Sequence, residues 1–265
     1  MKLPIYQLDA FSGQVFAGNP AAVCPLQDWL PDQVMQAIAA ENNLAETAYF
    51  VGGKGDYAIR WFTPALEAEL CGHATLASAA VVMTHLEPEL KKVRFTTQRA
   101  GDLFVSRDGD TYLLDFPVWA SKPTVVPEGL ERALGARPLE VLVGTRDYLC
   151  VLADEAAVRK VKPDFALLKQ IDRPVIVTAE GKDCDFVSRF FAPGHGIDED
   201  PVTGSAHCAL IPFWAKRLGK NRMSARQLSA RGGELSVALD GDRVAIGGRV
   251  AAYLEGTISI PGRAS

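Results

Sequence analysis

The sequence lacks the features that mark disulfide-stapled, secreted or membrane-spanning proteins. It holds five cysteines in 265 residues, an odd number, and no C-x-x-C pair, so neither a disulfide framework nor a structural zinc site is expected. Its longest apolar run, residues 74–83, is far shorter than the roughly 20 residues that span a bilayer. Residues 1–11 contain no apolar segment typical of a secretory signal. We therefore expect a reduced, cytoplasmic setting.

A concentrated basic surface is also missing. The chain has 28 Lys and Arg against 32 Asp and Glu, for a net charge of −4, and its densest basic run is only Lys91, Lys92 and Arg94. Nucleic-acid partners normally require a clustered positive face, so the expected partner is a small molecule. What the chain does have is apolar residues, at 48%, enough for one large domain or two ordinary ones.

The chain repeats itself once. Residues 97–105 (TQRAGDLFV) resemble residues 229–237 (SARGGELSV) at an offset of 132, and the same offset relates HA at 73–74 to SA at 205–206. RWFTP at 60–64 resembles RFFAP at 189–193 at an offset of 129. Two long copies predict two similar lobes rather than a solenoid of short units. We predict an N-terminal lobe over residues 1–118 and a C-terminal lobe over residues 119–265, and allow for the chain crossing back between them.

Hydrophobic periodicity predicts strands and helices mixed within each lobe. Predicted strands cover residues 3–9, 47–51, 57–62, 93–97, 103–106 and 111–116. Predicted helices cover residues 31–43, 74–83 and 206–214. The helix at 74–83 is small and apolar all round, which is typical of a helix buried on most sides. The expected fold class is therefore α+β, with two pseudo-symmetric lobes, each a curled mixed sheet around a central helix.

Two glycines stand directly before the two predicted buried helices. Gly72 is followed by His73, and Gly204 is followed by Ser205. Unpaired backbone N–H groups at a helix start can bind an anion. If the lobes pack as copies, both helix starts would face one cleft, where they could hold a carboxylate and stabilise an enolate-like charge. The alternative for each glycine is an ordinary turn.

The candidate acid–base residues do not follow the repeat. Glu46 lies between a predicted helix end and an apolar strand, and the offset of 132 places Thr178 at the matching position, so the second copy has no equivalent carboxylate. Small apolar neighbours would raise the pKa of Glu46 and suit it to proton transfer; a surface glutamate is the alternative. Asp200 precedes a proline and is either catalytic or a turn residue. His73 is a candidate general acid or hydrogen-bond donor.

Together these segments resemble the phenazine-biosynthesis-like, or PhzF-like, isomerase family, and the resemblance runs over nearly the whole length. The segments that carry it are DAF at 9–11, GNPAAV at 18–23, LAETA at 44–48, RWFTP at 60–64, LCGHATL at 70–76 and EDPVTGSAH at 199–207.

The resemblance implies a diaminopimelate-epimerase-like fold and a cofactor-free proton shift on a carboxylate-bearing substrate, with no metal. It implies Glu46 as the acid–base shuttle and homodimerisation. It also implies roles for six further residues: His73, Asp200 and Ser205 as supporting polar groups, Gly72 and Gly204 as backbone donors, and Asn19 as a substrate contact. The family's type substrate, a cyclohexadiene acid, is not carried over, since most members lie outside phenazine pathways.

Three alternatives stay open at this point. Diaminopimelate epimerases use two cysteines; Cys71 occupies the first place, but Thr203 mirrors it and Pro201 aligns with the second thiol, which disfavours a thiol epimerase using Cys71 and Cys208. A non-catalytic binding protein on the same fold is the second alternative. Metal catalysis through His195, His207 and Cys208 is the third, although their spacing matches no common ligand pattern.

Overall fold

The chain divides into two compact units in the computed structural model, which describes residues 1–260. The first unit contains Met1–Asp115 together with residues 247–260, and the second contains Phe116–Ile246. The chain therefore leaves the first unit once and comes back to it.

The first unit begins with eight strands and two helices. The strands are β1 (Lys2–Ala10), β2 (Asn19–Leu26), β3 (Glu46–Gly53), β4 (Asp56–Phe62), β5 (Glu67–Ala68), β6 (Lys92–Thr96), β7 (Asp102–Asp108) and β8 (Thr111–Pro117), at which the chain passes to the second unit. The helices are α1 (Asp32–Asn42) and α2 (Gly72–Val81), and α2 continues as a π-helical segment over Val82–Leu86.

The second unit contains most of the remaining elements. Its strands are β9 (Lys122–Pro123), β10 (Glu140–Val143), β11 (Tyr148–Val151), β12 (Val175–Glu180), β13 (Phe186–Ala192), β14 (Ile197–Asp200), β15 (Arg222–Gln227) and β16 (Gly233–Asp240). Its helices are α3 (Leu130–Leu134), α4 (Glu155–Lys160), α5 (Phe165–Leu168) and α6 (His207–Leu218), with a 3₁₀ turn at Pro193–His195. The chain returns through β17 (Arg243–Gly248) to β18 (Val250–Ser259), which pairs antiparallel with β1.

The two units share one order of strand pairing, as expected for a duplication. In the first unit, β1–β2 is antiparallel, β2–β3 parallel, β3–β4 antiparallel, β4–β6 parallel and β6–β7 antiparallel. In the second unit, the pairs β10–β11, β11–β12, β12–β13, β13–β15 and β15–β16 repeat that alternation. The predicted α+β class is confirmed, with a mixed sheet and few helices in each unit.

Strand register corrects one detail of the sequence comparison. Tyr49 lies opposite Arg60 in the β3–β4 pair, and Val177 lies opposite Arg189 in the β12–β13 pair. The offset between β3 and β12 is therefore 128 and not 132, so Pro174 rather than Thr178 is the equivalent of Glu46. The second unit still offers no carboxylate at this position.

Both predicted central helices form, with different degrees of burial. Every residue of α2 is buried, and α2 packs against β1, β2, β3 and β7, as its small apolar sequence predicts. Helix α6 is buried on one side and contains Pro212. It ends at Leu218, four residues beyond the predicted end. A proline cannot supply the N–H for the carbonyl four residues earlier; here the Cys208 carbonyl accepts from the Trp119 N–H at 3.0 Å.

The repeated arginines form equivalent ion pairs. Arg60 makes a two-point contact with Glu67 of β5, at 2.7 Å for each oxygen, and also donates to Asp32 at the start of α1. Arg189 makes the same contact with Glu199 of β14, at 2.7 and 2.9 Å. Arg189 also donates to the Val161 carbonyl at the end of α4 at 2.8 Å. Each pair therefore anchors the short strand that precedes the buried helix.

None of the helices formed by residues 1–260 is long and apolar enough to cross a bilayer.

Candidate functional site

Three of the predicted site residues meet at the start of α2 in the first unit. Glu46 is the first residue of β3, and its side chain is 12% exposed. Its Oε2 lies 3.2 Å from Nε2 of His73, in the first turn of α2. Asn19, the first residue of β2, donates from Nδ2 to Nδ1 of His73 at 3.1 Å. Cys71 precedes the helix, with Sγ 3.5 Å from the same Nδ1. Gly72, the first residue of α2, is buried here as well.

Burial fixes the charge state of His73. Desolvation lowers the pKa of His73 to about 3, against the opposing effect of a hydrogen bond with the Pro20 backbone. The ring is therefore neutral near pH 7 and carries one proton. The Asn19 amide nitrogen lies 3.1 Å from Nδ1, and Nε2 faces Glu46. His73 is thus a neutral ring beside a carboxylate and not a source of positive charge.

Gly18 allows Asn19 to reach this position. Gly18 has a φ of +68°, and a Cβ at this residue would lie 2.2 Å from the carbonyl oxygen of Ala10. Only glycine fits such a close backbone approach. The turn leads directly into β2, where Asn19 pairs with Ala10 and is fully buried. The structure therefore explains the first two residues of the segment GNPAAV: the glycine forms the turn, and the asparagine is placed beside His73.

The remaining predicted residues lie in the second unit, around one turn. Asp200 ends β14, and its Oδ2 accepts from Oγ1 of Thr203 at 2.5 Å. Gly204 and Ser205 follow, and their carbonyls accept from the N–H groups of His207 and Cys208. The helical turn therefore begins at Gly204, three residues before the first residue of α6. These hydrogen bonds give the turn a defined shape.

Two residues hold this turn in place: Gln227, which the sequence did not single out, and His207, which the sequence suggested only as a metal ligand. Gln227, the last residue of β15, is 1% exposed; it accepts from the Thr203 N–H at 2.8 Å and donates to the Asp200 carbonyl at 2.8 Å and to Thr203 Oγ1 at 3.1 Å. His207 contacts the Thr203 carbonyl through Nδ1 at 2.8 Å. Burial lowers the pKa of His207 to about 4, so the neutral ring donates from Nδ1. No spacing rule connects Gln227 to a turn 24 residues earlier.

We predict that Gln227→Leu lowers turnover by roughly a hundredfold, because a shift of about 1 Å in the groups it holds costs that much. The leucine also leaves the Thr203 N–H and the Asp200 carbonyl without their partner, so stability falls by about 1–3 kcal/mol. The measurement is kcat and KM for the proton exchange described below, alongside urea unfolding.

The matched control for this variant is Gln36→Leu. Gln36 donates to the Thr63 carbonyl in the first unit and does not touch the 200–204 turn. The Gln36→Leu protein should have a lower free energy of unfolding but the same proton-exchange activity as wild type. Equal activity losses in the two variants would show that Gln227 has only a general structural role.

The cysteines argue against a thiol mechanism. Burial raises the pKa of the Cys208 thiol to about 12, so it stays protonated near pH 7 and is a poor base. None of the five cysteines, all of which lie within residues 1–260, is part of a disulfide. His195 is exposed while His207 and Cys208 are buried, and the donor group that does come together in the described residues is Glu46, Cys71 and His73.

Comparison with known proteins shows the class of enzyme to which the chain belongs. A probable proline racemase from Agrobacterium radiobacter shares the fold, with a TM-score of 0.63 at 11% identity over 98% of this chain and 93% of that one. An uncharacterized isomerase of Pseudomonas aeruginosa is 52% identical over 261 residues, covering 98% of this chain and 100% of the relative. The chain is an enzyme of the isomerase class on a racemase- and epimerase-like fold.

The family assignment is equally direct. The family model for phenazine biosynthesis-like proteins, PhzC-PhzF, matches residues 8–256. A phenazine biosynthesis protein of the PhzF family from Enterococcus faecalis has a crystal structure with a TM-score of 0.95 at 47% identity, covering 98% of this chain and all of that one. The chain belongs to the phenazine biosynthesis-like family, and the resemblance found in the sequence is confirmed.

Proposed function

We propose that this chain is a cofactor-independent isomerase that moves a proton on a small organic acid, at a carbon adjacent to or vinylogous with the carboxylate. The observation that carries the proposal is the carboxylate of Glu46 beside the neutral ring of His73, at the N-terminus of the fully buried helix α2. A base, a neutral donor and a positive helix end are the parts that such a reaction needs.

Glu46 is the proposed acid–base group. As a carboxylate it removes the proton from carbon, and the electron pair of the broken C–H bond moves toward the carboxylate of the substrate. Protonated Glu46 then returns the proton to a different carbon of the same molecule. Partial burial of the Glu46 side chain supports this role, because a carboxylate with few water contacts exchanges protons with a bound molecule more readily than a hydrated one.

The N-terminus of α2 is the proposed site for the negative charge that develops. The first N–H groups of a helix have no partner within the helix, and the dipole adds a partial positive charge. Gly72 is the first residue of α2 and is buried, so a group bound there is shielded from solvent. Electrostatic interactions are stronger in such a buried position than in water. His73 adds a donor at Nε2 without adding a second titrating charge, since its pKa is about 3.

The family resemblance assigns three further groups to binding and orienting the substrate. These are Asp200, Ser205 and the backbone of Gly204, with Gln227 and His207 fixing the turn that carries them. In the first unit, Asn19 contacts Nδ1 of His73. Homodimerisation, a cytoplasmic setting and a small carboxylate as the only required partner remain proposals that rest on the family.

The test is an exchange screen in heavy water. The purified chain is incubated with mixtures of small carboxylic acids, and one-dimensional ¹H NMR follows the loss of individual C–H signals. We expect at least one acid to lose a signal α or γ to its carboxylate, with no loss of rate in the presence of a chelator. An exchange that vanishes on alkylation of Cys71 while Glu46→Gln stays active would instead support the thiol epimerase.

A further inference from the structure

Three unlike metal-ligating groups converge in the first unit. They are the carboxylate of Glu46, the thiol of Cys71 and the imidazole of His73, and one donor atom from each lies within 4.8 Å of the other two. All three residues are largely buried. The proton transfer proposed above uses Glu46 and His73 and gives Cys71 no task.

The separations of these atoms are close to those around a tetrahedral ion. Zinc binds sulfur at about 2.3 Å and nitrogen or oxygen at about 2.0–2.2 Å, so neighbouring ligand atoms lie roughly 3.3–3.7 Å apart. Here Oε2 of Glu46 is 3.2 Å from Nε2 of His73, and Sγ of Cys71 is 3.5 Å from Nδ1 of His73. These two contacts are to different ring nitrogens, and one ring nitrogen serves one ion, so either the thiol or the carboxylate has to move toward the other nitrogen to complete the set.

The surroundings favour Nε2 as the ligand from His73. Nε2 is buried and makes no hydrogen bond within the described residues. A metal on Nε2 requires the ring proton on Nδ1, which then needs an acceptor. Rotation of the Asn19 amide by half a turn presents Oδ1 to Nδ1 in place of Nδ2, and such a second partner is usual for a metal-bound histidine.

We propose that Glu46, Cys71 and His73 form an inhibitory binding site for Zn²⁺ or a similar divalent ion. Sulfur, imidazole and carboxylate together suit ions of intermediate softness, and three protein ligands leave a fourth position for water. Binding converts the Cys71 thiol to thiolate and releases one proton to solvent. It engages the lone pairs of Glu46, so the ion blocks the proton transfer. Only this last step depends on the proposed function.

The test is a titration of the full chain with Co²⁺ alone, under reducing conditions, followed by the thiolate-to-cobalt charge-transfer band. We expect one equivalent to bind, with zinc displacing it. Cys71→Ala should remove the band, and Glu46→Gln should weaken binding at least about tenfold, as expected when one of three ligands is lost. Cys184→Ala is the matched control, because Cys184 is the most exposed of the five cysteines, and it should leave the band intact.

Two sets of outcomes separate this proposal from the proposed function. The metal site is refuted if no band appears, if Cys71→Ala keeps it, or if Cys184→Ala removes it; heavy-water exchange that still requires Glu46 would leave the function standing. Binding with the expected variant pattern, but no proton exchange in any acid, would support the metal site and refute the function. Glu46→Gln covers the case in which Cys71→Ala fails to fold.

Discussion

Glu46→Gln is expected to lower the rate of proton exchange by at least about a thousandfold, while the protein keeps its fold. Glutamine has nearly the same shape as glutamate and can remain beside Nε2 of His73, but it cannot accept and return a proton. General acid–base groups contribute about 10²–10⁴-fold to rate, and here one group is proposed to carry both steps. The measurement is the initial rate of deuterium incorporation for wild type and variant at equal protein concentration.

The control for this variant is Glu41→Gln. Glu41 lies on α1, five residues before Glu46, and is exposed, so the same chemical change there should leave the rate within about twofold of wild type. Circular dichroism should show identical folded spectra for all three proteins. A Glu46→Gln protein with more than a tenth of the wild-type rate would remove Glu46 from the mechanism.

Arg189→Met is expected to cost about 3–5 kcal/mol of stability, the usual penalty for breaking a buried ion pair by removing one partner. The arginine side chain is 12% exposed and contacts both oxygens of Glu199. It also donates to the carbonyls of Val161 and Val158 near the end of α4. Methionine fills similar space but removes the donor to the Glu199 carboxylate and to the Val161 carbonyl. Urea unfolding, followed by intrinsic fluorescence, measures the loss.

Two further variants test the reason for this loss. Replacing both partners, as Arg189→Met with Glu199→Met, should recover much of the stability because no unpaired buried charge remains. Arg226→Met is the surface control: its pair with Glu234 is 41% and 61% exposed, so the expected change is below about 1 kcal/mol. If Arg189→Met and Arg226→Met lowered the free energy of unfolding by the same small amount, the Arg189–Glu199 pair would contribute no more to stability than a surface ion pair.

Much of the fold could be predicted because the hydrophobic periodicity and the internal repeat can both be identified in the sequence alone. Helix α1 is one residue shorter at each end than the predicted 31–43, because Pro31 is its N-cap and Asn43, with a φ of 49°, is its C-cap. The all-apolar segment 74–83 forms a buried helix, but it begins two residues earlier than predicted, because Cys71 is already its N-cap and Gly72 its first residue. Helix α6 ends at Leu218, four residues beyond the predicted end, and the Trp119 N–H that serves the Cys208 carbonyl could not be predicted from the sequence.

The site was only partly predictable, for a physical reason. Glu46, His73 and Asn19 fall within short distinctive segments of sequence, and they meet in the first unit because β2, β3 and the start of α2 are neighbours. The supports of the 200–204 turn are different. Gln227 lies in an alternating strand and acts through its burial and three hydrogen bonds, none of which leaves a mark on local sequence. The sequence offset alone made Thr178 the equivalent of Glu46. The pairing of the strands was needed to show that the equivalent residue is Pro174.

Pro174, which is the equivalent of Glu46 in the second unit, has a consequence for the stereochemistry of the proposed reaction. Racemases that invert a carbon centre need two bases, one on either side of the molecule, whereas a lone carboxylate reaches only the side on which it stands. Under the proposed mechanism the hydrogen that leaves and the hydrogen that arrives therefore share one face, and the transfer is suprafacial.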